Sequence, residues 1–257
     1  MGYNKKAKAK KNKGDFLKMK ILSIGNSFSE DAHTYLHQVA KNLGEDFKAV
    51  NLYIGGCSLK THYYNVLENN STYQIQYNGD MTGMLTTIKQ ALMSDDWDVI
   101  TLQQASHYSA KYETYSGYIE PLAEYVKKYC PNAKIYIHQT WAYEDASDRL
   151  AYIACYPTAK AMFDDVRTSY EKAAKAIDAV GIIPAGQAMF NASQMGIDKI
   201  HRDTFHASFG AGRYLLALVW VKALTGKDIS HDNFADFHVP VTEEERAIVI
   251  KAVNAAF

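Results

Sequence analysis

Short apolar segments alternate along this chain with longer segments of helical periodicity, and this alternation limits the possible folds more than any other feature. The apolar segments predict β-strands at residues 20–24, 47–54, 98–102, 133–138 and 181–183. Strands that alternate with helices are typical of a parallel sheet whose right-handed crossovers cover both of its faces. The sequence therefore predicts an α/β fold, a three-layer α/β/α sandwich with a five-stranded parallel sheet.

The helical segments differ in how clearly the sequence marks them. Apolar spacing predicts helices at residues 31–43, 84–93, 119–129, 158–179 and 208–224, and Thr242 with Glu245 forms a capping box that opens a last helix. Residues 62–82 are rich in Asn, Tyr and Gly and predict a loop with weak helical character. Because no run of about 20 apolar residues occurs, we expect no membrane span.

The formal net charge is zero, but the charges are unevenly distributed. Residues 1–18 hold seven lysines and one acid, a charge of +6, and the remaining 239 residues hold 21 basic and 27 acidic groups, a charge of −6. We predict a disordered basic leader at 1–18 and one folded domain at 19–257. The leader is interpreted as a solvated tail, or as a start codon placed upstream of Met19; an arm for nucleic acid or an anionic surface is the alternative.

Cysteine and histidine usage bears on compartment and on metal binding. Cys57, Cys130 and Cys155 are odd in number and far apart, which favours free thiols and a cytoplasmic location over a disulfide framework. His33 and His37 lie four apart on a predicted helix and could share a metal, but no third ligand accompanies them. We therefore expect no metal and no organic cofactor.

Polar residues and glycines follow four of the predicted strands. In parallel α/β sheets, ligands bind at the carboxyl ends of the strands, so we expect the functional site there. Phosphate-binding, dinucleotide-binding, HExxH and GxSxG motifs are absent. The strand ends are Gly25-Asn26-Ser27, Gly55-Gly56-Cys57, Gln103-Gln104 and Gln139-Thr140-Trp141.

Ser27 is a candidate nucleophile, although the same position suits a helix N-cap, a role that Ser29 or Asp31 could also fill. A serine hydroxyl needs a base, and the base needs an orienting group. Asp203 and His206 are spaced so that a turn can bring the carboxylate onto the imidazole; a capping aspartate beside an incidental histidine is the alternative.

Donors for an oxyanion are available at two other strand ends. The backbone N–H groups of Gly55 and Gly56 lie where a turn permits close approach, and the side-chain amide of Gln103 or Gln104 follows the third strand. Ordinary turns and capped sheet edges account for the same residues equally well.

Taken together, Gly25-Asn26-Ser27-Phe28, Gly55-Gly56-Cys57-Ser58 and Asp203-Thr204-Phe205-His206 resemble the SGNH (GDSL-like) hydrolase superfamily, in family order over residues 19–226. The chain looks like a bacterial branch in which Gly-Asn-Ser-Phe replaces Gly-Asp-Ser-Leu. The resemblance implies a flavodoxin-like fold. It also implies that Ser27 is the nucleophile, His206 the base and Asp203 its orienter, with the N–H groups of Ser27 and Gly56 in the oxyanion hole.

The chain departs from the superfamily pattern after the third strand. An asparagine is usual there, and this sequence has Gln103 and Gln104, of which we favour Gln104 as the donor. Trp141 and Tyr143 follow the fourth strand and are candidates for stacking on a sugar, with ordinary packing as the alternative. Cys57 is interpreted as a small buried residue.

These observations predict a serine ester hydrolase that works through an acyl-enzyme, a carboxylesterase or acetylesterase acting on a small-molecule or glycan ester. Acetylated carbohydrate is the expected substrate class. Two alternatives remain: an acyltransferase with the same triad, and a non-catalytic carbohydrate-binding protein on the same scaffold. The acidic body favours a neutral ester, so we expect neither nucleic acid nor membrane as a partner, and the oligomeric state is left open.

Overall fold

The computed structural model describes residues 18–257, so the predicted leader, apart from Lys18, lies outside the described residues. Within them, one sheet holds seven strands in the order β4-β3-β2-β1-β5-β6-β7. The strands are β1 Met19–Gly25, β2 Phe47–Tyr53, β3 Tyr73–Tyr77, β4 Asp80–Thr86, β5 Val99–Leu102, β6 Lys134–His138 and β7 Gly181–Ile183.

The five predicted strands form the parallel part of this sheet, which confirms the predicted fold class. β1 pairs in parallel with β2 and β5, β5 with β6, and β6 with β7. The hairpin β3–β4 extends the sheet by antiparallel pairing of β3 with β2. The prediction of a loop at 62–82 was therefore wrong. Asn78 and Gly79 turn the hairpin with positive φ angles of 50° and 102°, an Asn-Gly signal that was present in the sequence.

Helices cover both faces of the sheet. Helices α1, α2, α7, α8 and α9 contact one another, and α3, α4 and α5 form a second group. The crossovers are right-handed and run in both directions along the sheet, so the two groups lie on opposite faces. The bounds are α1 Ser27–His33, α2 Leu36–Asn42, α3 Leu59–Glu68, α4 Ile88–Leu92, α5 Ile119–Tyr129, α6 Ala159–Ala176, α7 Ala185–Gln194, α8 Ala211–Thr225 and α9 Glu243–Asn254.

Two predicted helices differ from the structure in their course, and two observed helices lie outside the predicted ones. The segment 31–43 is split into α1, which begins earlier at Ser27 and ends at His33, and α2, which begins at Leu36. The segment 84–93 begins as strand β4, and only Ile88–Leu92 is helical. Helix α7 was not predicted, although Ala185, Ala188, Met189 and Ala192 form a buried stripe on it, and α3 overlaps the segment 62–82 for which only weak helical character was predicted.

Helix α8 lies at the centre of its layer. All residues from Ala211 to Val221 are buried, because α1, α2, α7 and α9 pack around this helix. A helix that is apolar on every side is stable only where it is covered on every side. None of the helices among the described residues is long and apolar enough to cross a membrane.

Candidate active site

Asn26 caps helix α1 and so leaves the Ser27 side chain uncommitted. The Asn26 Oδ1 accepts a hydrogen bond from Phe28 N at 3.0 Å, and Ser29 completes a capping box by accepting from Asn26 N at 3.0 Å. Ser27 is the first residue of the helix, where a backbone N–H has no acceptor within the helix. The Ser27 N–H and hydroxyl therefore both lie at the positive end of α1.

A buried network holds the Asn26 side chain in place. Gln103 Nε2 donates to Asn26 Oδ1 at 2.7 Å, and Asn26 Nδ2 donates to the carbonyl oxygen of Cys57 at 3.0 Å. The Gln103 Oε1 lies 2.7 Å from His138 Nδ1, which makes this nitrogen the donor. Ser27 is thus tied to the ends of β2, β5 and β6. Asn26 and His138 were not predicted as site residues, although the preference of asparagine for N-caps was a usable signal.

Asp203 and His206 lie on a tight loop between β-bridge partners His201 and Ala207. The Asp203 carboxylate accepts from the His206 backbone N–H and lies against the His206 ring, both at 2.8 Å. Thr204, at the tip, has a positive φ of 69°. The loop is therefore shaped around the aspartate, as the spacing of the two residues predicted.

The structure brings Ser27, His206 and Asp203 into one hydrogen-bonded row. His206 Nε2 lies 2.8 Å from Ser27 Oγ, and His206 Nδ1 lies 2.8 Å from Asp203 Oδ2. Because an ionised carboxylate only accepts, Nδ1 carries the proton and Nε2 is free to accept from the serine. Burial raises the pKa of Asp203, but the hydrogen bonds from the His206 ring and backbone outweigh it, so this pKa lies below its ordinary value.

Aromatic rings enclose the His206 imidazole. Phe205 packs on it with ring centres 3.9 Å apart, and Phe28 lies on another side at 5.7 Å. Trp141 stacks on Phe28 at 4.2 Å and donates from Nε1 to the Phe205 carbonyl at 2.8 Å. These contacts fix the plane of the imidazole relative to Ser27.

The expectation that Trp141 and Tyr143 stack on a sugar is corrected by their burial. Each is 1% exposed, so almost none of either ring is open to a ligand, although both residues border a cavity of about 560 Å³. Tyr143 OH is hydrogen bonded to Ser106 Oγ at 2.8 Å, and its ring packs edge-on against Phe205. Both residues form the floor beneath the loop of Asp203 and His206.

The turn after β2 presents two exposed glycines beside the site. Gly56 has a φ of +64°, which a side chain would strain, and the space around its Cα is open. Gly55 is also exposed. The hydrogen bond from Asn26 to Cys57 O ties this turn to the N-cap of α1, directly before Ser27. Gly56 remains our candidate for an oxyanion donor, with Gly55 as the alternative.

The two glutamines have other partners. The Gln104 Oε1 accepts from Leu59 N, and its Nε2 donates to the carbonyl and the hydroxyl of Thr114 at 3.0 and 3.1 Å. Gln103 is 2% exposed and bridges Asn26 and His138. The Gln104 amide nitrogen is bonded to Thr114, so these contacts argue against the expected Gln104 donor, and Gln103 holds Asn26 and His138 in place instead.

A cavity of about 510 Å³ opens beside Gly56. Its lining combines hydroxyl groups, aromatic rings and one ammonium group, and its members are Gly56, Ser58, Lys60, Thr61, Gln104, His107, Tyr108, Thr114 and Tyr118. Burial lowers the pKa of His107. Sequence reasoning missed this cavity, because its members come from two loops and from the unpredicted helix α3.

Cys57 is buried, as expected, and lies 3.4 Å from His62 Nδ1. Burial raises the pKa of its thiol to about 12 and lowers that of His62 to about 3, so neither group is charged near neutral pH. The pair therefore lacks the thiolate that a cysteine nucleophile requires.

His33 and His37 do not face a common site. His33 Nε2 lies 2.7 Å from Ser23 Oγ, and His37 Nδ1 lies 2.7 Å from the Phe47 carbonyl oxygen. Within residues 18–257, no group of three or more His, Cys, Asp or Glu side chains is placed to hold a metal ion.

The DUF4886 family, described as a domain of unknown function, has a model that matches residues 20–256. The chain belongs to this family. A DUF4886 protein from Bacteroides uniformis, known from its crystal structure, is similar to the chain with 30% sequence identity and a TM-score of 0.87, over 93% of this chain and 94% of that one. The DUF4886 domain matches none of the curated proteins compared with it.

More distant structures share the fold of this DUF4886 domain. A candidate SGNH hydrolase from Slackia heliotrinireducens has 24% identity and a TM-score of 0.58, over 80% of this chain and 99% of that one. An acetylxylan esterase from Geobacillus stearothermophilus has 15% identity and a TM-score of 0.51, over 80% and 94%. At these identities the likeness establishes the α/β fold, and the neighbours that share it are described as hydrolases and esterases.

Proposed function

We propose that this DUF4886 domain is a serine ester hydrolase. The observation that carries the proposal is the row of two 2.8 Å contacts that joins Ser27 Oγ, His206 and Asp203. His206 Nε2 takes the proton of the Ser27 hydroxyl as its oxygen attacks the ester carbonyl, and Asp203 stabilises the imidazolium that forms. The same proton then passes to the leaving alcohol, which leaves an acyl group on Ser27.

Water completes the cycle. His206 takes a proton from a water molecule that attacks the acyl-enzyme, and the proton returns to Ser27 as the acid departs. The backbone N–H groups of Ser27 and Gly56 are the proposed donors to the oxyanion in both steps. With Gln103 and Gln104 engaged elsewhere, this hole relies on backbone donors, and one missing donor ordinarily costs about 10²–10³ in kcat.

The cavity beside Gly56 supports a carbohydrate ester as substrate. Its volume of about 510 Å³ lies in the usual range for small-molecule sites. Tyr118 and the 41% exposed Tyr108 offer ring faces, and the exposed Lys60 and Thr61 offer polar groups, a combination that suits a sugar ring with its hydroxyl groups. We propose that the sugar of an acetylated carbohydrate binds here and not against Trp141 and Tyr143.

Hydrolysis of 4-nitrophenyl acetate by the wild type and by Ser27→Ala tests the chemistry. We expect the variant to lose about 10³-fold or more in kcat, because the remaining groups cannot form the acyl-enzyme. Ser94→Ala is the matched control, since Ser94 is an exposed serine that bonds only the Ala91 carbonyl. Equal rates for the wild type and Ser27→Ala would overturn the proposal.

A second comparison tests the substrate site. Tyr118→Ala should raise KM for an acetylated xylo-oligosaccharide by about tenfold, the loss of roughly one aromatic contact, and leave KM for 4-nitrophenyl acetate unchanged. If both KM values stay unchanged, the cavity is not the sugar site. Product analysis with added alcohol acceptors separates hydrolysis from acyl transfer.

A further inference from the structure

Asp31 is a fully buried carboxylate on the same helix as Ser27. It lies one turn further along α1, is 0% exposed, and accepts hydrogen bonds from two arginines. Arg202 Nη1 reaches both of its oxygens at 2.8 and 2.9 Å, and Arg213 Nε reaches Oδ1 at 2.8 Å. A further bond comes from the backbone N–H of Ala207 at 3.2 Å.

Two of these donors, Arg202 and Ala207, come from opposite ends of the loop that carries the proposed base, and Arg213 lies on α8. Arg202 directly precedes Asp203, and Ala207 directly follows His206. Arg202 N also donates to the His206 carbonyl at 3.0 Å, which closes the two stems of the loop on each other. Asp31 therefore grips the loop on both sides of the Asp203–His206 pair, while its own backbone belongs to the helix of Ser27.

The charges in this cluster balance. A buried carboxylate is stable only when it is paired and hydrogen bonded, and two guanidinium groups and one amide serve that need here. Glu30, 3.8 Å from Arg213 Nη2, compensates the second arginine. Both guanidinium groups also lie over the ring of Phe209, at 4.8 and 4.7 Å, so packing fixes the donors as well as the acceptor.

We propose that Asp31 is a positioning residue for the reaction, a clamp that sets the distance between Ser27 Oγ and His206 Nε2. Asp31 acts through Arg202 and Ala207 and does not itself touch the reacting atoms. The clamp joins two parts of the catalytic row that are otherwise linked across 179 residues of chain. The reaction that it serves is the proposed ester hydrolysis, so this inference rests in part on that function.

Asp31→Asn tests the clamp, with Asp232→Asn as the matched control. Asp232 is also buried, at 4% exposure, accepts from Tyr214 OH at 2.7 Å, and makes no contact with the loop. We expect Asp31→Asn to lower kcat for 4-nitrophenyl acetate by about 10²-fold with little change in KM, because a small misplacement of the base suffices for such a loss. Asp232→Asn should lower thermal stability but keep its kcat.

Amide hydrogen exchange of residues 201–207 measures local opening of the loop and does not depend on any catalytic activity. The exchange should accelerate in Asp31→Asn and stay as in the wild type in Asp232→Asn, since only the first variant frees the loop. If Asp31→Asn fails to fold, Arg202→Met is the second variant; it keeps the pair of Asp31 and Arg213 and should give the same acceleration and the same fall in kcat.

The outcomes separate the two proposals. Unchanged exchange and unchanged kcat in the folded variants would overturn the clamp. Accelerated exchange in a protein whose wild type hydrolyses no ester would confirm the clamp as a loop anchor and overturn the proposed function alone. A parallel loss of kcat in Asp232→Asn would show that Asp31 contributes only to general stability.

Discussion

The Ser27 hydroxyl is available because a neighbouring residue caps its helix. The sequence left two roles open for this serine, and the two could not be separated while the first residue of α1 was unknown. Asn26, not Ser27, accepts the bond from Phe28 N, and Ser29 fills the second half of the capping box. The hydroxyl of Ser27 then points to His206, a residue whose proximity no local pattern could give.

Asp203→Asn is expected to lower kcat by about 10²–10⁴-fold, because an amide opposite Nδ1 favours the wrong tautomer of His206. Asp203 has a side chain that is 43% exposed, so its replacement should change thermal stability little. Steady-state rates with 4-nitrophenyl acetate measure the effect, and Asp198→Asn, an exposed aspartate nearby in sequence, is the control. Wild-type rates in Asp203→Asn would contradict the role of orienter.

Gln104→Ala is expected to reduce stability and not catalysis. Its removal leaves the buried N–H of Leu59 without its acceptor, which costs about 1–3 kcal/mol in the free energy of unfolding. Urea unfolding measures this loss, and kcat should stay within about fivefold of the wild type, well short of the cost of a missing oxyanion donor. A fall in kcat of about 10²-fold with intact stability would restore Gln104 to the oxyanion hole.

At the scale of elements, the proposed role of the turn after β2 in catalysis depends on its backbone conformation. Gly56→Ala should cost about 1–2 kcal/mol, since a Cβ at a φ of +64° is strained although it meets no neighbour. Gly44, just after α2, has a φ of +77° and is also exposed, so Gly44→Ala is the matched control. Both variants should lose similar stability by urea unfolding, but only Gly56→Ala should lose activity. Equal kcat values would show that catalysis does not depend on the glycine conformation of this turn.

The elements differ in how well the sequence predicts them. The buried strands β1, β2 and β5 are apolar runs, and their burial between two helical layers makes the signal strong. Strand β4 is exposed along nearly its whole length, so no apolar pattern marks it, and it depends on pairing with β3. Helix α3 carries only two fully buried residues, Leu59 and His62, and its partly buried Tyr63 and Val66 add a weak helical stripe.

The residues of the candidate site also differ in how well the sequence predicts them. Asp203 and His206 are three residues apart, and such a local pair can be inferred from spacing. The glutamines were misjudged because their partners, Thr114 and His138, lie on other strands and loops. Trp141 was misjudged because a strand end does not reveal whether the following loop folds over the residue. Contacts between segments that are far apart in sequence are therefore the part of the site that the sequence does not predict.

At the scale of the whole molecule, three buried histidines make the fold sensitive to acid. Burial lowers the pKa of His33, His62 and His138 to about 3. In the unfolded chain these groups titrate near 6.5, so below that pH the unfolded state binds more protons and folding stability falls as the pH falls towards 3. Well inside this window the three together contribute a slope of about 4 kcal/mol per pH unit.

Urea unfolding at a series of pH values from 7.5 to about 4.5 measures this slope. We expect little loss above pH 7 and a steep loss below 6, because the histidine contribution is fully present only above the unfolded-state pKa. His33→Gln should reduce the slope by about a third, since one proton fewer separates the two states. A slope that is the same in the wild type and in His33→Gln would contradict this account.

The order of residues along the chain determines when the proposed catalytic row can form. Its proposed nucleophile, Ser27, is synthesised early and its proposed base, His206, 179 residues later, so the ribosome completes all seven strands of the sheet before the two residues can meet. During synthesis, every shorter chain therefore holds Ser27 without His206 beside it. In refolding from denaturant, we expect the proposed ester hydrolysis to return with or after the helical circular dichroism and not before it, because the contact of Ser27 with His206 needs two segments that are 179 residues apart to come together.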